Sequence, residues 1–210
     1  MESDLKKHWD SAYSNHDITQ LGWYEEDPKP SLQLIQNCNL SKNARILNVG
    51  VGTSTLIDEL LHLGYKNIIA SDISSTALDK LKTRLDSKKN KVHWVVDDLT
   101  NPCLLSEIDP VDLWHDRAVL HFFNKEEEQN TYFSLVKKII KPNGYVLIST
   151  YNTEGASKCS GLHVHRYDKN LLMDKLGSDF KLIEYFNYTY TMPSGDTRPY
   201  IYTLFKRISL

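Results

Sequence analysis

From about Ala44 onward, short apolar runs alternate with stretches whose apolar positions recur at helical spacing, the pattern of βαβ units and a mostly parallel sheet. The spacing predicts strands over 44–49, 67–71, 92–96, 111–115 and 145–150. Helices fall between them over 54–63, closed by Gly64, over 74–85, and over 126–140, ended by Pro142 and Gly144. After a short helix over 171–176, two β-rich runs, 180–191 and 200–206, flank Pro193-Ser194-Gly195-Asp196 and predict a hairpin. The expected fold is therefore α/β: a single doubly wound, Rossmann-like sheet of seven strands, one antiparallel, with a C-terminal hairpin. Residues 1–43 read as a helical arm or lid packed on the domain at 44–210. The arm carries Trp9, Tyr13, Trp23 and Tyr24, large rings that must pack on something.

Composition narrows the partners. At 210 residues the chain is of one-domain size, and with 40% hydrophobic and 25% charged residues it has ordinary globular usage. A net charge of -2 offers no general attraction to nucleic acid or to anionic membranes, and neither is expected as a partner. Lys88, Lys89 and Lys91 read as a solvated helix end. Cys38, Cys103 and Cys159 are odd in number and lack a CxxC pair, so reduced thiols are expected. Met1 to Asp10 is polar, and no stretch reaches the roughly 18 apolar residues of a membrane span. These features predict a cytoplasmic chain.

Candidate chemistry begins at Asn48-Val49-Gly50-Val51-Gly52-Thr53-Ser54, where a buried strand enters a glycine turn and then a helix. Gly50 and Gly52 permit a tight turn and close approach of a ligand. Asp72 follows Gly50 by twenty-two residues, at the end of the second strand, where a carboxylate can accept from a ribose diol. Thr55 stands where the dinucleotide fingerprint needs its third glycine, so a ligand without pyrophosphate fits better. His163 and His165 have a His-x-His spacing but no accompanying ligands, and no metal is expected.

This turn, with Asp72 and with Val96-Asp97-Asp98-Leu99 after the third strand, resembles the seven-strand, class I S-adenosylmethionine methyltransferases. The chain departs from that pattern in Asn48, where an acid is common, and in Ser54, in place of a third glycine. The resemblance implies S-adenosyl-L-methionine as cofactor, with Asn48, Gly50, Gly52, Asp72, Ile73, Asp98 and Leu99 around it. Asp72 would hold the ribose; Asp98, or its neighbour Asp97, would meet the adenine amine beside the Leu99 backbone. His115, Asp116 and Arg117, at the end of the fourth strand, would border the methyl donor.

A finer likeness rests on two segments, the arm from Trp9-Asp10 to Gly22-Trp23-Tyr24 and Pro28-Lys29-Pro30, and His115-Asp116-Arg117-Ala118-Val119-Leu120. Both are similar to the thiopurine methyltransferase group and its thiol-methylating relatives. That likeness implies that Trp9, Tyr13 and Trp23 shield the cofactor. It further implies a small-molecule acceptor, a thiol or other soft nucleophile, with Asp116 or His115 taking its proton and Arg117 favouring the anion. The acceptor pocket is expected from Trp23, Tyr24, His115, Arg117 and His163. Two other readings stand beside it: a protein lysine N-methyltransferase, against which Arg117 speaks thinly, and a non-catalytic cofactor-binding scaffold.

Overall fold

The computed structural model describes residues 4–208, and the polar start at Met1–Asp10 and the arm at 1–43 extend into residues 1–3, outside the described residues. The arm contains α1 (Asp4–Asn15) and α2 (Lys29–Asn37), the latter with Pro30 in its first turn, where its missing N–H costs nothing. Then come β1 (Arg45–Val49), α3 (Leu56–His62), β2 (Asn67–Asp72), α4 (Ser75–Leu85), β3 (Val92–Val96), β4 (Val111–Arg117), α5 (Glu126–Ile139) and β5 (Ile140–Tyr151). The chain closes with a two-residue-strand ribbon, β6 (Lys158–Cys159) and β7 (Leu162–His163), then α6 (Lys169–Leu176), β8 (Phe180–Thr191) and β9 (Thr197–Arg207).

The main sheet has seven strands in the order β3-β2-β1-β4-β5-β9-β8. Neighbours are parallel through β5, whereas β9 is antiparallel to both β5 and β8. The order reverses between β1 and β4, which opens a crevice at their carboxyl ends.

Strand alternation sorts the core into two layers. Ile46, Leu113 and Tyr202 face a cluster with Leu34, Ile57 and Leu78, from α2, α3 and α4. Leu47, Trp114 and Phe205 face the opposite cluster with Phe133, Val136 and Leu172, from α5 and α6. The alternation also governs β4, where His115 and Arg117 share one face and Asp116 the other.

Several boundaries move for identifiable reasons. Helix α3 starts at Leu56 rather than at residue 54, because the carbonyls of Thr53 and Ser54 accept from Arg84 (2.5 and 2.7 Å). Strand β4 runs on to Arg117, paired with Ser149. Helix α5 ends at Ile139, close to its expected end, but β5 begins at once at Ile140 rather than at residue 145, with Pro142 and Gly144 inside it, and its pairing with β4 shifts register between Val111 and Leu113 to absorb them. Helix α6 starts at Lys169, capped by Asp168, whose side chain accepts from Leu171 N. No helix among the described residues is long and apolar enough to cross a membrane.

Candidate active site

A cavity lies over the carboxyl ends of β1, β2 and β4, with Asn48, Gly50, Asp72, Ile73, Asp98, Leu99, His115 and Arg117 in its wall. Trp9, Tyr13 and Trp23 of the arm line it from above. Gly50 and Gly52 both have left-handed backbones, with φ of 53° and 50°. A Cβ on Gly50 would run into Val119, and one on Gly52 into the Tyr13 hydroxyl. Both glycines are thus required by conformation and by close approach.

Asp72 Oδ2 accepts from Gly52 N and Oδ1 from Ser74 N, each at 2.8 Å, so it braces the glycine turn and the start of α4 together. Burial pushes its carboxyl up to about 6, against the pull of those two N–H groups. Lone pairs on both oxygens remain for a second donor. The adjoining acids divide the labour. Asp97 accepts from the backbone of Asp98, Cys103 and Leu105 and orders the loop, while Asp98 is engaged through Oδ1 by Thr100, leaving Oδ2 for a ligand.

His115 is buried between Asn48 Oδ1 (3.0 Å from Nδ1) and the Ser31 hydroxyl (2.9 Å from Nε2). Burial, and then the Arg117 charge, lower its pKa to about 3, so it stays neutral with both ring nitrogens occupied. It orients Asn48, whose Nδ2 is buried with no acceptor among the described residues. A buried donor without a partner in a cavity wall is costly unless a ligand supplies the acceptor.

Asp116 is not brought to the cavity. It points to the α5 side of the sheet, where its carboxylate accepts from Tyr132 Oη (2.7 Å), Val119 N (3.0 Å) and Leu120 N (3.2 Å). Burial pushes it up to about 7. What it holds is the turn after β4, in which Ala118 adopts φ 68°, a strained value for a side chain with a Cβ. Two-residue alternation gives the reason: a face shared by His115 and Arg117 excludes Asp116. His163 is likewise absent from the wall; it sits exposed on β7, and Cys159 of that ribbon reaches the cavity instead.

Arg117 is the hub of the other wall. Its Nε lies 3.2 Å from Glu25 Oε2 and 3.3 Å from Tyr202 Oη, and Nη1 donates to the Trp23 carbonyl at 3.0 Å. The guanidinium stacks over Tyr190 and Tyr200, 4.8 and 5.4 Å from the ring centres. Burial opposes its charge, but Tyr202, Glu25 and Tyr200 outweigh that and raise its pKa. The arm rings meet edge-on: Trp9 lies 5.3 Å from Trp23 and 4.9 Å from Phe122, and Trp23 Nε1 donates to Tyr13 Oη at 2.9 Å.

Sequence reasoning missed Ser31, Glu25, Val119 and the three tyrosines around Arg117. Glu25 reads as one more solvated acid in Tyr24-Glu25-Glu26-Asp27, and Ser31 as a helix-start residue. Tyr200 and Tyr202 did carry a signal, since a spacing of two on a strand puts them on one face.

Residues 46–144 match a family model described as a methyltransferase domain. These residues are thus matched as a methyltransferase domain. The enzyme is 28% identical over 162 residues to EEF1A lysine methyltransferase 2 of Danio rerio, a match covering 70% of this chain and 68% of that one. Its fold is shared by a SAM-dependent methyltransferase from Anabaena variabilis, at 13% identity, TM-score 0.77 and coverage of 97% and 93%. The N-methyltransferase NodS of Bradyrhizobium japonicum, in complex with S-adenosyl-L-homocysteine, also shares it, at 13% identity, TM-score 0.72 and coverage of 99% and 100%.

Proposed function

We propose that this methyltransferase acts on the side-chain amine of a protein lysine, with EEF1A, the protein in its relatives' name, as candidate substrate. The observation that carries the reading is the state of Arg117. A thiolate or other anionic acceptor would need the charge of that guanidinium, which Glu25 already balances, with Tyr202 and the Trp23 carbonyl on Nε and Nη1 and two tyrosine faces beside it; Nη2 alone has no acceptor among the described residues. An amine acceptor instead has to arrive without its proton. Burial in the cavity wall and the fixed Arg117 charge both disfavour a cation, as the lowered pKa values of buried His115 and His121 illustrate.

Asn48, Gly50, Gly52, Asp72, Ile73, Asp98 and Leu99 form the proposed cofactor set. S-adenosylmethionine would supply an activated methyl on a sulfonium, already a good leaving group. The unpartnered Asn48 Nδ2 fits a carboxylate, the Asp72 lone pairs a ribose diol, and Asp98 Oδ2 an amino group. The arm before β1 is proposed as the lid, its rings excluding water and presenting π faces to the cation. His115 serves by holding Asn48, and Asp116 by holding the β4 turn; neither is proposed to take a proton.

A small thiol acceptor is the second reading, favoured by the aromatic enclosure of Trp9, Trp23, Tyr24 and Phe122. Incubation with methyl-labelled S-adenosylmethionine, EEF1A and a small thiol together separates the two. Methyl-lysine on EEF1A is the expected product; label on the thiol alone would reverse the assignment.

A further inference from the structure

We infer that the open groove between the Tyr24–Asp27 segment and the tip of the β8–β9 hairpin is the docking surface for a lysine-rich segment of the protein substrate, an inference that rests on the lysine reading. The groove lies beside the cavity described above. One wall carries Glu25, Glu26 and Asp27; the other carries Tyr188, Tyr190 and Met192. Tyr24 and Glu25 line the groove and the cavity alike, so the two adjoin across these residues.

Three features fit a basic, extended partner. The first is charge: two exposed acids, Glu26 and Asp27, line the groove beside the buried Glu25, and the nearby cation, Lys29, pairs with Asp27 at 3.5 Å across open solvent, where such a pair is worth little. The second is the half-satisfied carboxylate of Glu25. Its side chain is 10% exposed, with Oε2 on Arg117 and Oε1 buried with no donor among the described residues. Burial raises its pKa and Arg117 opposes the rise. A lysine ammonium lying in the groove supplies the missing donor. The third is rigidity. Thr55 Oγ1 donates to the Glu25 carbonyl at 2.9 Å and Tyr190 Oη donates to the Tyr24 carbonyl, so the acids are fixed before a partner arrives. Tyrosine faces beside carboxylates suit the alkyl stem and charged head of lysine.

The test reverses two exposed charges, Glu26→Lys with Asp27→Lys, which leaves the buried Glu25–Arg117 pair intact. Binding of an oligolysine peptide is measured by calorimetry at low and raised salt, alongside kinetics on EEF1A. The double variant should bind the peptide about five- to tenfold more weakly, with a shallower salt dependence. Its KM for EEF1A should rise by a similar factor, while its affinity for S-adenosylmethionine stays the same. Equal peptide affinity in the two proteins would overturn the docking surface even if EEF1A is methylated. Failure of the unaltered enzyme to methylate EEF1A, with peptide binding still dependent on these charges, would instead remove the lysine reading and leave the groove.

Discussion

The two walls of the cavity are built differently. The wall over β1, β2 and β3 is assembled from loops that directly follow their strands: Gly50 and Gly52, Asp72, then Asp98. The wall at the end of β4 is convergent, since Arg117 meets Glu25 and Trp23 from the arm and Tyr190, Tyr200 and Tyr202 from a hairpin far along the chain. In the first, backbone N–H groups satisfy the buried carboxylate. In the second, a buried charge is satisfied by another buried charge. Backbone geometry suits a ligand whose shape is constant. Side chains gathered from remote segments can vary without disturbing the glycine turn.

The sharpest way to break this contrast is to remove one partner of the convergent wall. Arg117→Met should cost about 3–5 kcal/mol of stability by stranding Glu25, whereas Arg117→Met with Glu25→Gln should recover much of the loss. Denaturant unfolding of the two singles and the double measures the coupling. Additive losses would show that the walls do not differ as described.

A smaller effect concerns Asp116. Its carboxyl is raised in the folded state to about 7 from the ordinary value near 4, so the native protein holds more protons between those limits. The stabilisation belonging to the protonated form is full below about pH 4 and is lost as the pH rises through about 7. Asp116→Asn should therefore flatten this part of the stability curve while costing about 1–3 kcal/mol for one lost acceptor. Thermal unfolding across that range reads it. The pH profile of kcat should keep its shape, because Asp116 lies across the sheet from the cavity; a lost limb would make it the proton acceptor after all.

The contrast also explains what was legible beforehand. The strands and the closing hairpin follow from the apolar periodicity, and Gly50, Gly52, Asp72 and Asp98 from fixed offsets after strands, so the local wall could be read, whereas the order of the strands in the sheet comes from the structure. The choice between Asp97 and Asp98 could not, because it turns on which carboxylate the loop backbone consumes. Asp116 was expected at the acceptor from its place in the chain, although β4 running through Arg117 turns it to the other face. Glu25 was illegible because its partner is 92 residues away in sequence, and nothing local distinguishes it from Glu26.

The central claim, that the local wall is the methyl-donor site, is tested most directly by calorimetric titration of S-adenosylmethionine into the unaltered protein and into Asp72→Ala, with folding of the variant checked by circular dichroism. Loss of charged hydrogen bonds to the ligand and of the brace on Gly52 should weaken binding by about two orders of magnitude. Equal affinity in a folded variant would contradict the assignment and move the donor site elsewhere.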